Sequence, residues 1–101
     1  MDERRRDLRI AAAWSVRLWT PDEIVVGNTI DVSEHGICLA TAPTAALRMG
    51  RAYRLELVAE MGEPFVTVGE IRHVSARGVG IRTRDRLPID SVVVARDAEA
   101  S

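Results

Sequence analysis

WSVRLWTPDEIVVGNTIDV, from Trp14 to Val32, alternates apolar and polar residues on both sides of a single turn. Trp14, Val16 and Leu18 fall on one face, and Ser15, Arg17 and Trp19 on the other. A period of two is the mark of a half-buried strand, which the pattern places over Ala12 to Trp19. Thr20-Pro21-Asp22-Glu23 supplies turn chemistry, since proline presets φ and short polar side chains bond nearby backbone. Ile24 to Val32 then reads as a second strand, with a bend or bulge at Gly27-Asn28. The pair is an antiparallel hairpin, and Trp14 belongs to its core face while Trp19 lies on the opposite parity.

The same grammar continues outward. Glu34-His35-Gly36 breaks the pattern, Ile37 to Ala42 resumes it as a short apolar strand, and Pro43 opens a connection to about Gly50. Tyr53, Leu55 and Leu57 alternate with Arg54, Glu56 and Val58, up to a turn at Met61-Gly62-Glu63. Phe65 to Val74 is a longer strand whose phase slips near Gly69, because Val66 and Val68 share one parity and Ile71 has the other. Ala76-Arg77-Gly78 turns the chain into Val79 to Thr83. Six short strands separated by turn signals predict an all-β chain, an antiparallel sandwich or a small barrel, and in so short a chain closure is the economical way to avoid exposed edges. The expected organisation is an arginine-rich arm over residues 1–11, the barrel over 12–84, and a tail or short helix over 85–101, where 91–98 lacks an apolar stripe.

Composition narrows the function. With 101 residues, 47% apolar and 29% charged, the chain is long enough for one core and too short for two. A net charge of −1 argues against coating nucleic acid or an anionic membrane through an overall field, so any anion site is local. All fourteen basic residues are arginine. The single cysteine, Cys38, forms no internal disulfide, and no charged-then-apolar leader or membrane-length apolar run is present, which predicts a cytoplasmic protein without membrane insertion.

Four of those arginines, Arg4, Arg5, Arg6 and Arg9, crowd into RRRDLR near the amino end. Arg5 and Arg9 stand four apart and span at most about 13 Å even in extended chain, a separation that suits clamping one dianionic ligand. Guanidinium fits that task because its planar fork bonds phosphate bidentately, stacks on flat rings and matches the O6/N7 edge of guanine. About twenty residues on, DVSEHG runs from Asp31 to Gly36. Strand alternation sends Ile30 and Val32 inward and Asp31 and Ser33 outward together, about 7 Å apart, offering two acceptors and a donor to the edge of a planar base. Gly36 permits a positive-φ turn and a close approach of ligand to backbone.

R-x-x-x-R at Arg5 to Arg9, a first strand, D-x-S-x-x-G at Asp31, Ser33 and Gly36, and the late GVGIRT at Gly78 to Thr83 together resemble the PilZ domain family, bacterial receptors for cyclic di-GMP. The resemblance covers roughly residues 3 to 84. It implies a six-stranded barrel whose arm folds over the ligand, with Arg5 and Arg9 matching the arginines that bond phosphates and guanine. Asp31, Ser33 and Gly36 match the guanine-reading turn, Arg4 matches members that take a stacked ligand pair, and Arg6 faces solvent. Thr83 stands where an aromatic often ends the last strand of the family. The implied function is a non-enzymatic receptor and adaptor that orders its arm on ligand binding and so alters contacts with an effector protein. The alternative is a PilZ-like interaction adaptor that binds no nucleotide. No other cofactor is implied.

Other chemistry finds weaker support. His35, Asp31 and Ser33 do not converge as a hydrolytic triad, because side chains two apart on a strand run parallel. His35, Cys38 and His73 lack paired metal-ligand spacing, and Cys38 reads as core. Four aromatic residues and no positive excess argue against binding a nucleic-acid polymer. Arg72 and Arg77 read as a solvated strand face, and Trp19, if exposed, as a contact for a partner.

Overall fold

The computed structural model describes residues 9–42, 44–59 and 62–89. Every regular element among them is a strand: β1 (Ile10–Ala11), β2 (Ser15–Trp19), β3 (Ile24–Ser33), β4 (Gly36–Ala40), β5 (Ala52–Val58), β6 (Phe65–Ser75) and β7 (Gly78–Thr83). All pairings are antiparallel, and the order β3-β2-β5-β6-β7-β4 closes on itself through β3 and β4. Of the sandwich and the barrel that the alternation allows, the structure is the closed six-stranded barrel that the family resemblance implies, with one additional short strand, β1, laid on β3.

Inward side chains of the hairpin, Val16, Leu18 and Val25, meet Ile37, Leu39, Leu55, Leu57, Ile71 and Ile81 in the barrel interior. Trp14, Leu47, Leu87 and Ile89, which lie outside the strands, are buried in the same core. Leu87 and Ile89 begin the stretch read as a tail; residues 90–101, including the candidate helix at 91–98, lie outside the described residues.

Two features govern how the chain reaches the barrel. Ile10 and Ala11 pair with Val32 and Asp31, and Ser15 pairs with Asn28, so three residues, 12–14, face only Thr29 and Ile30. The buried Thr29 hydroxyl accepts from the Trp14 N–H at 2.8 Å and donates to the Ala12 carbonyl, while the Thr29 N–H donates to the Trp14 carbonyl at 2.9 Å. This side chain satisfies backbone groups that the irregularity would otherwise leave buried and unpaired. Strand pairing on β2 accordingly begins at Ser15 and not at Ala12.

A second irregularity corrects the expected parity. The register of β3 against β4 shifts between Thr29 and Asp31, making Ile30 the extra residue of a bulge. Ile30 is consequently 44% exposed instead of inward, while Val32 remains buried. On β6 no slip occurs at Gly69: Thr67, Gly69 and Ile71 all face inward, and Val66 is exposed. Gly69 leaves space that Ile81 and Leu55 occupy, since a Cβ there would stand 2.6 Å from Ile81 Cγ2. The β6 bulge lies further on, between Ile71 and His73.

Thr29→Val keeps the shape but removes the clip, so the unfolding free energy should fall by about 1–3 kcal/mol in urea denaturation, the cost of stranding a buried backbone donor and acceptor.

Candidate functional site

At the β3–β4 turn the barrel opens a cleft of about 440 Å³ lined by Arg9, Ser33, His35, Gly36, Ile37, Arg72, Gly80, Ile81 and Arg82. Its construction follows from the register. Ser33 pairs with Gly36, Gly36 with Arg82, and Arg82 with Glu70, forming one cross-strand row on the outside of the barrel. Gly36 contributes no side chain to that row, so bare backbone separates Ser33 from Arg82. The next row, Asp31, Cys38, Gly80 and His73, carries a second such gap at Gly80.

Arg9 sits above these gaps because β1 places it just before Ile10. Its Nε donates to Asp31 Oδ1 at 2.8 Å, and Nη1 lies 3.7 Å from where a Cβ on Gly36 would be. Both partners are partly exposed, so the pair aims the guanidinium more than it stabilises the fold. Arg72, the residue within the β6 bulge, reaches the cleft from the far side and pairs only loosely with Glu70, at 3.7 Å. The turn itself is fixed from below, because the His35 carbonyl accepts from Thr83 N–H at 2.9 Å and the Glu34 carbonyl from Leu87 N–H at 2.7 Å. Thr83 is buried and its hydroxyl donates to the Asp85 carbonyl at 2.8 Å. Arg86 reaches Glu34 at 3.2 Å.

Among the residues singled out in the sequence, Arg9, Asp31, Ser33 and Gly36 come together here, whereas Arg4 and Arg5 lie outside the described residues. Two expected details differ. Ser33 is only 1% exposed, its hydroxyl turned across the turn to the Gly36 carbonyl at 3.4 Å, so it belongs to the cleft floor and not to an open strand face. Gly36 has no positive φ; among the described residues only Gly50 and Gly78 do, and a Cβ at 36 would stand 3.3 Å from the Ser33 hydroxyl and 3.4 Å from the Ile81 carbonyl, so glycine there keeps the cleft floor bare.

Arg72 has the exposed side chain expected of a solvated strand face and also lines the cleft, while Arg82 and Gly80 were not visible as site residues. Their signal lay in the β4–β7 register, which a linear reading does not supply. Three guanidinium groups over a backbone floor make a site for an anionic, flat-sided ligand. No cluster of three or more potential metal ligands occurs among the described residues, and no helix among them is long and apolar enough to cross a membrane.

A family model for the PilZ domain matches residues 3–96. The chain belongs to the PilZ domain family. Among solved structures, this PilZ domain is similar to the Bacillus subtilis inhibitor of motility MotI/DgrA, with a TM-score of 0.74 and 17% identity, over 97% of this chain and 53% of that one. It is also similar to the PilZ domain of Escherichia coli YcgR, solved with c-di-GMP, with a TM-score of 0.67 and 20% identity, over 97% of this chain and 95% of that one. The chain thus spans about half of the former protein and nearly all of the latter domain. No curated protein sequence matches it. PilZ domains are ligand-binding and adaptor domains, not enzymes.

Cys38, half-buried beside the cleft, reports on the same geometry. Burial pushes its thiol pKa up, Asp31 pushes it further, and Arg9 opposes them. Asp31→Asn should therefore raise the thiolate fraction and speed alkylation by iodoacetamide at neutral pH, and Arg9→Ala should slow it. Rates indifferent to both changes would separate Cys38 from the Arg9–Asp31 pair.

Proposed function

We propose that this PilZ domain is a receptor for cyclic di-GMP that converts ligand occupancy into altered contact with an effector protein. The observation that carries the reading is Arg9 held at 2.8 Å on Asp31 above the bare backbone of Gly36, with Arg72 and Arg82 across the cleft. The similarity to a YcgR domain solved with c-di-GMP supports it.

In this reading the Arg9 guanidinium bonds a phosphate or the O6/N7 edge of guanine, while Asp31 offers lone pairs to guanine N–H donors. Ser33 and Gly36 form the floor on which the base rests. Arg5, four residues before Arg9, clamps the second phosphate, and Arg4 takes part where two ligand molecules stack. Arg72 and Arg82 offset the ligand's negative charge from the opposite rim. Bridging by the phosphates draws the segment before Arg9 against the barrel, and the resulting change of surface is what an effector detects. The arm's composition, rich in arginine and poor in apolar side chains, supports docking that depends on an anion.

Isothermal titration with cyclic di-GMP should give a dissociation constant in the micromolar range or below. Arg5→Ala and Arg9→Ala should each cost about 1–3 kcal/mol, roughly ten- to a hundredfold in affinity. Silence at high nucleotide concentration would overturn the reading and leave an adaptor that binds no nucleotide.

A further inference from the structure

A second cleft, of about 560 Å³, shares no residue with the first. Trp19, Asp22, Arg48, Arg51, Tyr53 and Arg54 line it, so three arginines face a single carboxylate in a chain whose net charge is −1. Arg48, Arg51 and Arg54 make no ion pair among the described residues. Unpaired guanidinium groups concentrated in one concavity mark a place for an anion.

The backbone that carries Arg48 and Arg51 is also held in place. Gly50, at φ 80°, turns the loop so that its N–H donates to the Ile71 carbonyl at 2.7 Å, and Ile71 N–H donates to the Arg51 carbonyl at 2.9 Å. Arg48 N–H donates to the Tyr53 hydroxyl at 3.1 Å, which in turn donates to the Ala46 carbonyl at 3.0 Å. Arg54 lies over the Trp19 ring, 4.9 Å from its centroid. A pre-set loop loses little freedom on binding.

The surface beside the cleft is apolar. Strand register lines up Ile24, Trp19, Arg54 and Val68 in one outer row and Val26, Arg17, Glu56 and Val66 in the next. Ile24, Val26 and Val66 are all exposed. A tryptophan and a tyrosine among arginines, flanked by aliphatic side chains, is the composition of binding hot spots between proteins. A nucleic-acid strand would leave Ile24 and Val26 facing phosphate and would need an overall positive field that this chain lacks. Carboxylates suit the guanidinium forks, and apolar side chains suit the flanking rows.

We infer that the Trp19–Arg54 face docks an acidic segment of a partner protein that also carries apolar side chains, its carboxylates entering the Arg48–Arg51–Arg54 cleft. The inference rests on the adaptor part of the proposed function and is independent of the nucleotide cleft.

The test uses the full chain and a dodecapeptide of repeated Glu-Glu-Leu, followed through the indole N–H signals of Trp19 and of the buried Trp14. The peptide should shift Trp19 saturably and leave Trp14 in place, and Arg51→Glu should weaken binding about tenfold or more, with Arg51→Gln showing a smaller loss. A cyclic di-GMP titration of Arg51→Gln should match the unsubstituted chain, so that failure at one cleft is distinguishable from failure at the other. No saturable shift, an equal shift with the Lys-Lys-Leu counterpart, unchanged affinity in both Arg51 variants, or tighter binding of a thymidine oligonucleotide would each overturn the inference.

Discussion

One hydroxyl decides where the amino-terminal segment meets the barrel. Thr29 bonds the backbone of Ala12 and Trp14, and so absorbs the extra residue between the β1 and β2 pairings on β3. With that residue accommodated, Ile10 aligns with Val32 and Ala11 with Asp31, which leaves Arg9 beside the Asp31 carboxylate. A shift of one residue would turn Arg9 to the other side of the strand. The candidate nucleotide site therefore depends on a buried polar contact in the core of β3, remote in character from the exposed ion pair it sets up.

Bulges do the rest. The irregularity at Ile30 reverses the inward parity of β3 just before Asp31, and the one between Ile71 and His73 throws Arg72 toward the same opening. Pairing of β4 with β7 then sets Gly36 beside Arg82 and Gly80 beside Cys38. Each device moves a side chain, or its absence, into a place that regular alternation would not supply. Such features weaken a sheet locally, and here two of them flank one cleft.

These devices also explain what the sequence could and could not disclose. The hairpin from Trp14 to Val32 was legible because its period of two is local, whereas repetition of that period left sandwich and barrel open and the two spaced motifs pointed to the barrel. Ile30 was misassigned because a bulge leaves no periodic signal of its own, and the burial of Ser33 was missed because its hydroxyl turns across the β3–β4 turn to the Gly36 carbonyl. Val66 and Val68 suggested a slip at Gly69 because apolar residues are read as inward, yet Thr67 and Gly69 take the interior where Ile81 and Leu55 fill the room. Arg82 and Gly80 join the site only through the β4–β7 register, a non-local fact. Arg9, Asp31 and Gly36 could be picked out in advance because their residue types fit a ligand and because they fall in two spaced motifs.

The central claim is that Arg9, seated on Asp31, forms one wall of the ligand cleft. Its most direct measurement is a nitrogen-edited NMR titration with cyclic di-GMP that follows the Arg9 Nε–H and the amides of Gly36 and Gly80. The expected result is saturable shifts of all three at a common midpoint, with the Trp19 indole unmoved. Binding that leaves Arg9, Gly36 and Gly80 in place while signals elsewhere shift would contradict it.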